Sequence, residues 1–78
     1  MLELTKFEVQ DICRLDKFEI KNIKEDIVYC INVINEAISD GRDYYLDRFI
    51  WSYDRQLSGM MSVCSKIGII VHTKYIEK

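Results

Sequence analysis

The chain has 78 residues, 49% of them apolar, 31% charged and none proline, with a net charge of −2. That length supports one domain with a small core, burying only about 60% of the surface its unfolded chain exposes. A charge so near neutral removes the electrostatic demand for a nucleic acid or an anionic membrane as partner. No apolar run approaches the roughly 20 residues of a membrane span.

No secretory apolar segment opens the sequence. Cys13, Cys30 and Cys64 are odd in number and lack a C-x-x-C spacing. They read as buried thiols of a reducing cytoplasm rather than as disulfides or zinc ligands. Abundant Ile, Lys and Tyr with few Ala suggest an AT-rich coding genome, such as that of a low-GC bacterium or its phage.

The first element is marked by a near-duplication. Leu4-Thr5-Lys6-Phe7-Glu8-Val9 is echoed by Leu15-Asp16-Lys17-Phe18-Glu19-Ile20 eleven residues later. Thr5-x-x-Glu8 and Asp16-x-x-Glu19 each spell a capping box or its Asp-capped variant. Leu4 with Val9, and Leu15 with Ile20, take the positions of a hydrophobic staple. One straight helix would drop Glu8 onto an apolar face between Leu4 and Ile12. The expectation is therefore a short helix over 6–13, a tight corner at Arg14-Leu15 and a new helix from Lys17; a continuous helix is the alternative.

The second helix is expected over 17–40. Ile20, Ile23, Ile27, Ile31, Ile34 and Ile38 recur at spacings of three and four, with Cys30 and Ala37 widening the stripe. Ser39-Asp40-Gly41 ends it, with Gly41 as a left-handed terminator. Phe18, Tyr29 and Val33 fall nearly opposite this stripe. They demand a second cover, either the first helix or another chain, and so mark a dimer or second packing face.

A third helix is expected over 42–66, from the spacing of Tyr45, Phe49, Tyr53, Leu57, Met60, Cys64 and Ile67. Ser58-Gly59 weakens its middle and suggests a kink or a close crossing, and Gly68 is a second stop. Ile69 to Ile76 is β-branched and aromatic. It reads as a strand pairing with residues 1–4 or with the same segment of a second copy, or else as an extended tail packed on the helices.

The fold class expected is therefore mostly α: a short N-terminal helix plus two long antiparallel helices, with a C-terminal strand or extended tail. Self-association into a homodimer is expected, because apolar residues lie on more than one side of the second helix.

Tyr44, Arg48, Trp51 and Arg55 follow one another by four, three and four residues, off the apolar face. Tyr, Trp and Arg dominate binding hot spots, so these four form a candidate partner-binding stripe. Against this stands the bland reading that Trp51 packs on the first helix while the arginines reach into water. Arg14, Lys17, Lys21 and Lys24 form a basic edge that offers a phosphate contact at a helix start. Interleaved Glu19, Glu25 and Asp26 make a solvated charged face the stronger reading. A short helix, a corner and a second helix also sketch a helix-turn-helix, but the corner lacks glycine and the domain is acidic.

Chemistry has little to rest on. His72 has no Cys, Ser or carboxylate at a spacing that implies partnership, and no phosphate loop, H-E-x-x-H or metal-ligand cluster occurs. No catalytic residue, metal or cofactor is expected. The function expected is a non-enzymatic, cytoplasmic protein-binding module, a small regulator or inhibitor of a larger macromolecule, of the kind carried by phages and mobile elements. A small nucleic-acid-binding transcriptional regulator is the second reading.

Overall fold

The computed structural model describes residues 1–77 and runs strand–helix–helix–strand: β1 (Leu2–Val9), α1 (Lys17–Ser39), α2 (Arg48–Ile67) and β2 (Ile69–Tyr75). β1 and β2 pair antiparallel as a two-stranded sheet, and both helices pack on one face of it.

The expected short N-terminal helix does not form; residues 2–9 are extended. The misleading signal is a bulge at Thr5. Register passes from Leu4↔Thr73 to Lys6↔His72, leaving Thr5 as the extra residue, and its hydroxyl donates to the His72 carbonyl at 3.1 Å. Opposite residues of an antiparallel pair share a face. The pairs Leu2↔Tyr75, Leu4↔Thr73, Phe7↔Val71 and Val9↔Ile69 therefore face the helices, while Glu3↔Lys74, Lys6↔His72 and Glu8↔Ile70 face outward. The extra residue turns a period of two into a spacing of three between Leu4 and Phe7, which imitates a helix. Glu8 pairs with Lys6 at 3.1 Å on the outer face instead of capping a helix.

The second copy of the duplicated segment does start a helix. Asp16 caps α1: its Oδ1 accepts from Glu19 N–H at 2.8 Å, and Glu19 Oε1 accepts from Asp16 N–H at 3.2 Å. Leu15 and Ile20 are both half-buried, as the staple requires. Ile27, Ile31 and Ile34 of the expected stripe are buried, together with Cys30 and Ala37.

α2 begins at Arg48, six residues later than expected, because Asp47 is its N-cap and accepts from Phe49 and Ile50 N–H at 2.9 and 3.3 Å. Its buried line is Ile50, Leu57 and Cys64, which meets the α1 stripe and the sheet residues Leu2, Ile69 and Val71 in one core. α2 closes at Gly68 (φ +93), where an added Cβ would lie 2.9 Å from Ile12 Cγ1 and 3.0 Å from Cys13 N. Gly68 is required twice over, by its left-handed backbone and by the loop pressed against it.

α1 lies over β1 and α2 over β2. Lys24 Nζ sits 5.4 Å from the centre of the Phe7 ring, and Thr73 contacts the Met61 sulfur at 4.0 Å. The molecule measures 40 × 20 × 18 Å. Among the described residues, no helix is long and apolar enough to cross a membrane.

Candidate protein-binding surface

The structure divides the four residues of the expected binding stripe. Tyr44 lies not on a helix but in the turn before α2. It stacks on Tyr75 with centroids 4.0 Å apart and planes 4° from parallel, and Tyr45 meets both rings edge-on. The Tyr44 hydroxyl donates to Asp54 Oδ1 at 3.4 Å. Burial, then the Asp54 charge and its hydrogen bond, push the Tyr44 hydroxyl above the usual tyrosine range. Tyr44 thus pins the interhelical connection to the end of β2 and belongs to the framework.

Arg48, Trp51 and Arg55 do form a solvent-facing line on α2, and Trp51 is 60% exposed. The first helix that was to cover Trp51 is absent. At about 100° per residue the line sits opposite the buried Ile50–Leu57–Cys64 row.

Phe18, Tyr29 and Val33 also lack the cover expected of that helix. Phe18 is 79% and Tyr29 61% exposed, and Val33 is half-buried. Two open grooves mark the seam between the helices. One of ≈ 430 Å³ is lined by Ile23, Asp26, Gly59, Met60, Val63 and Ile67, with Cys64 at its base. The other, of ≈ 250 Å³, joins Val33, Glu36 and Asp40 of the α1 end to Phe49 and Arg42. Arg42 lies 4.9 Å from the Phe49 ring centre and bonds Asp47 at 3.1 Å. Sequence periodicity marked Phe49 as core, yet it stands at the rim of this seam, 43% exposed.

The basic edge is not assembled into one cradle. Lys24 is drawn over Phe7, Lys21 lies 3.9 Å from Glu25, Lys17 is exposed on the first turn of α1, and Arg14 is exposed in the preceding loop. His72 is exposed on the outer sheet face opposite Lys6. Cys30 and Cys64 are buried and Cys13 is half-buried, all as free thiols. Burial raises the Cys30 thiol, with Asp26 adding to it, and raises that of Cys64, with Cys13 adding. Among the described residues no three His, Cys, Asp or Glu side chains converge as a metal site. No family model matches the chain, and none of the curated proteins or solved structures compared with it matches.

Proposed function

We propose that the chain is a non-enzymatic protein-binding module, acting as a small regulator or inhibitor by occupying a larger protein. The observation that carries this reading is the Arg48–Trp51–Arg55 line. A tryptophan held by a rigid helix, largely open to water and flanked by two arginines, has the composition and placement of a hot spot. The dispersal of Lys17, Lys21 and Lys24 takes support from the nucleic-acid alternative, whose affinity needs several cations along one phosphate track.

The test is affinity capture from host lysate with wild type and with Trp51→Ala/Arg55→Ala. Wild type should retain a protein that the variant releases, with the helical circular dichroism of the variant intact. Equal capture by both chains removes the line from the argument. A nucleic acid shifted in a gel, with binding that weakens steeply as salt rises, would replace the reading by its alternative.

A further inference from the structure

We infer that the face of the helical layer turned away from the sheet binds a second copy of this chain, giving an antiparallel four-helix core between two outer sheets. The inference rests on the protein-binding reading in that it names a protein occupant, and its face adjoins the binding line and shares Arg48 with it, but not Trp51.

Area gives the first argument. The chain exposes 5738 Å², whereas a compact monomer of 9.3 kDa exposes about 5,000 Å². The excess, roughly 750 Å², matches the about 800 Å² that each partner buries in a standard interface. The radius of gyration is likewise high, 13.2 Å against about 11.5 Å for a compact chain of this length, because the molecule is elongated at 40 × 20 × 18 Å and so presents one long helical face.

Part of the exposed surface is apolar on the side turned away from the sheet. Val63 of α2, 56% exposed, lines the groove between the helices, and by helical phase Phe18 and Tyr29 of α1 fall on the same outward side. Gly59 borders that groove with nothing within 4 Å of where a Cβ would stand. Nothing inside the chain calls for glycine at this helical position, and its absent side chain leaves room for a knob from outside.

Charge identifies the occupant as a second copy. On α1 Lys24 turns toward β1 over Phe7 and Lys21 pairs with Glu25 at 3.9 Å, which leaves Asp26 and Glu36 as the acids beside the interhelical grooves. On α2 the exposed charges are all basic: Arg48, Arg55 and Lys66. A two-fold axis parallel to the helices lays α1 of one copy on α2 of the other, acidic on basic, in both halves at once. The grooves set the levels. Glu36 lies at the height of Phe49 and hence beside the partner's Arg48, and Asp26 lies at the height of Val63, one turn from the partner's Lys66. An axis perpendicular to the helices would set like charges against each other.

Two charge-reversed chains test this: Arg48→Glu/Lys66→Glu, acidic on both helices, and Asp26→Lys/Glu36→Lys, basic on both. Sedimentation equilibrium at about 100 µM should give wild type twice 9.3 kDa and each variant alone the monomer mass. An equimolar mixture of the two variants should return to the dimer mass. Circular dichroism of each variant establishes that it is folded. A monomeric wild type, or a mixture of folded variants that stays monomeric, overturns the inference. Sedimentation reads only copies of this chain, and both variants keep Trp51 and Arg55. Failure here therefore leaves the capture experiment standing, and failure of capture leaves the mass unaffected.

Discussion

The side-chain amide of Asn35 closes both backbone groups of Leu2, with Nδ2 donating to its carbonyl at 2.9 Å and Oδ1 accepting from its N–H at 2.7 Å. Met1 and Ile76 exchange backbone hydrogen bonds at 2.6 and 2.8 Å, so the next residue, Leu2, turns its polar groups to the free edge of β1. α1 supplies there what a third strand would have supplied. Asn35→Ala strands two half-buried groups and should cost about 1–3 kcal/mol in urea denaturation. Asn35→Asp, which keeps the acceptor and loses the donor, should cost nearly as much. A loss within error for both would show that water replaces the amide at no penalty.

The bulge at Thr5 makes a contrasting pair of changes. Thr5→Ala removes one exposed hydrogen bond and should cost less than about 1 kcal/mol. Deleting Thr5 removes only the extra residue and leaves Leu2, Leu4, Phe7 and Val9 alternating on the helix-facing side, whereas deleting Glu3 shifts Leu2 by one position onto the solvent face. The Thr5 deletion should keep the cooperative transition and the Glu3 deletion should be markedly less stable in urea; equal stability of the two deletions would refute the register.

The glycines should respond in opposite directions. Gly59→Ala meets nothing in its own chain and should stabilise α2 by roughly 0.5–1 kcal/mol. Gly68→Ala must hold φ at +93 with its Cβ against Ile12 and Cys13, and should destabilise by more than that. Thermal melts of the two single variants decide the matter.

Asp47 sets an acid dependence. Desolvation alone would raise its carboxyl, but hydrogen bonds from Ile50 and Phe49 N–H and from the Arg42 guanidinium outweigh that and hold it below the usual carboxylate range. A lowered folded-state value means the contribution is complete above the unfolded pKa, near ~4, and is lost as pH falls through the folded value. The stability gap between wild type and Asp47→Ala should therefore be widest near neutrality and narrow as pH falls below the ordinary carboxylate range. A gap that stays constant with pH would sink this assignment.

The thiols should react in order of access. Iodoacetamide should modify half-buried Cys13 in the native state, while Cys30 and Cys64 wait for opening of the core, their thiolates disfavoured by burial. Mass mapping that found Cys30 labelled first would contradict the packing of α1.

The helices were legible because their signals are local. The Ile20–Ile38 stripe and the Asp16–Glu19 box each sit within a few turns, and both appear where periodicity placed them. Residues 2–9 were not legible, because their structure is decided by residues 69–75. The same Lys-Phe-Glu words make a strand in which Phe7 faces the helices and a helix in which Phe18 faces water. Only the long-range partner separates the two outcomes, and the extra residue at Thr5 erased the alternation that would have named the strand. Of the candidate stripe, Arg48, Trp51 and Arg55 share a face as their spacing requires. Tyr44 falls outside that face because α2 opens at Asp47 and not at Arg42.

The sheet pairs residues 2–9 with 69–75, across about sixty intervening residues, so its closure carries a large entropic cost that the helices packed on it must offset. The helical hairpin, by contrast, is made of near neighbours, but without the two strands its Ile27–Ile34 and Ile50–Cys64 rows lie open to water. The molecule accordingly has no separable half. A cut that detaches either strand takes away the hydrophobic cover of both helices together, and the chain gains or loses its fold as a single unit.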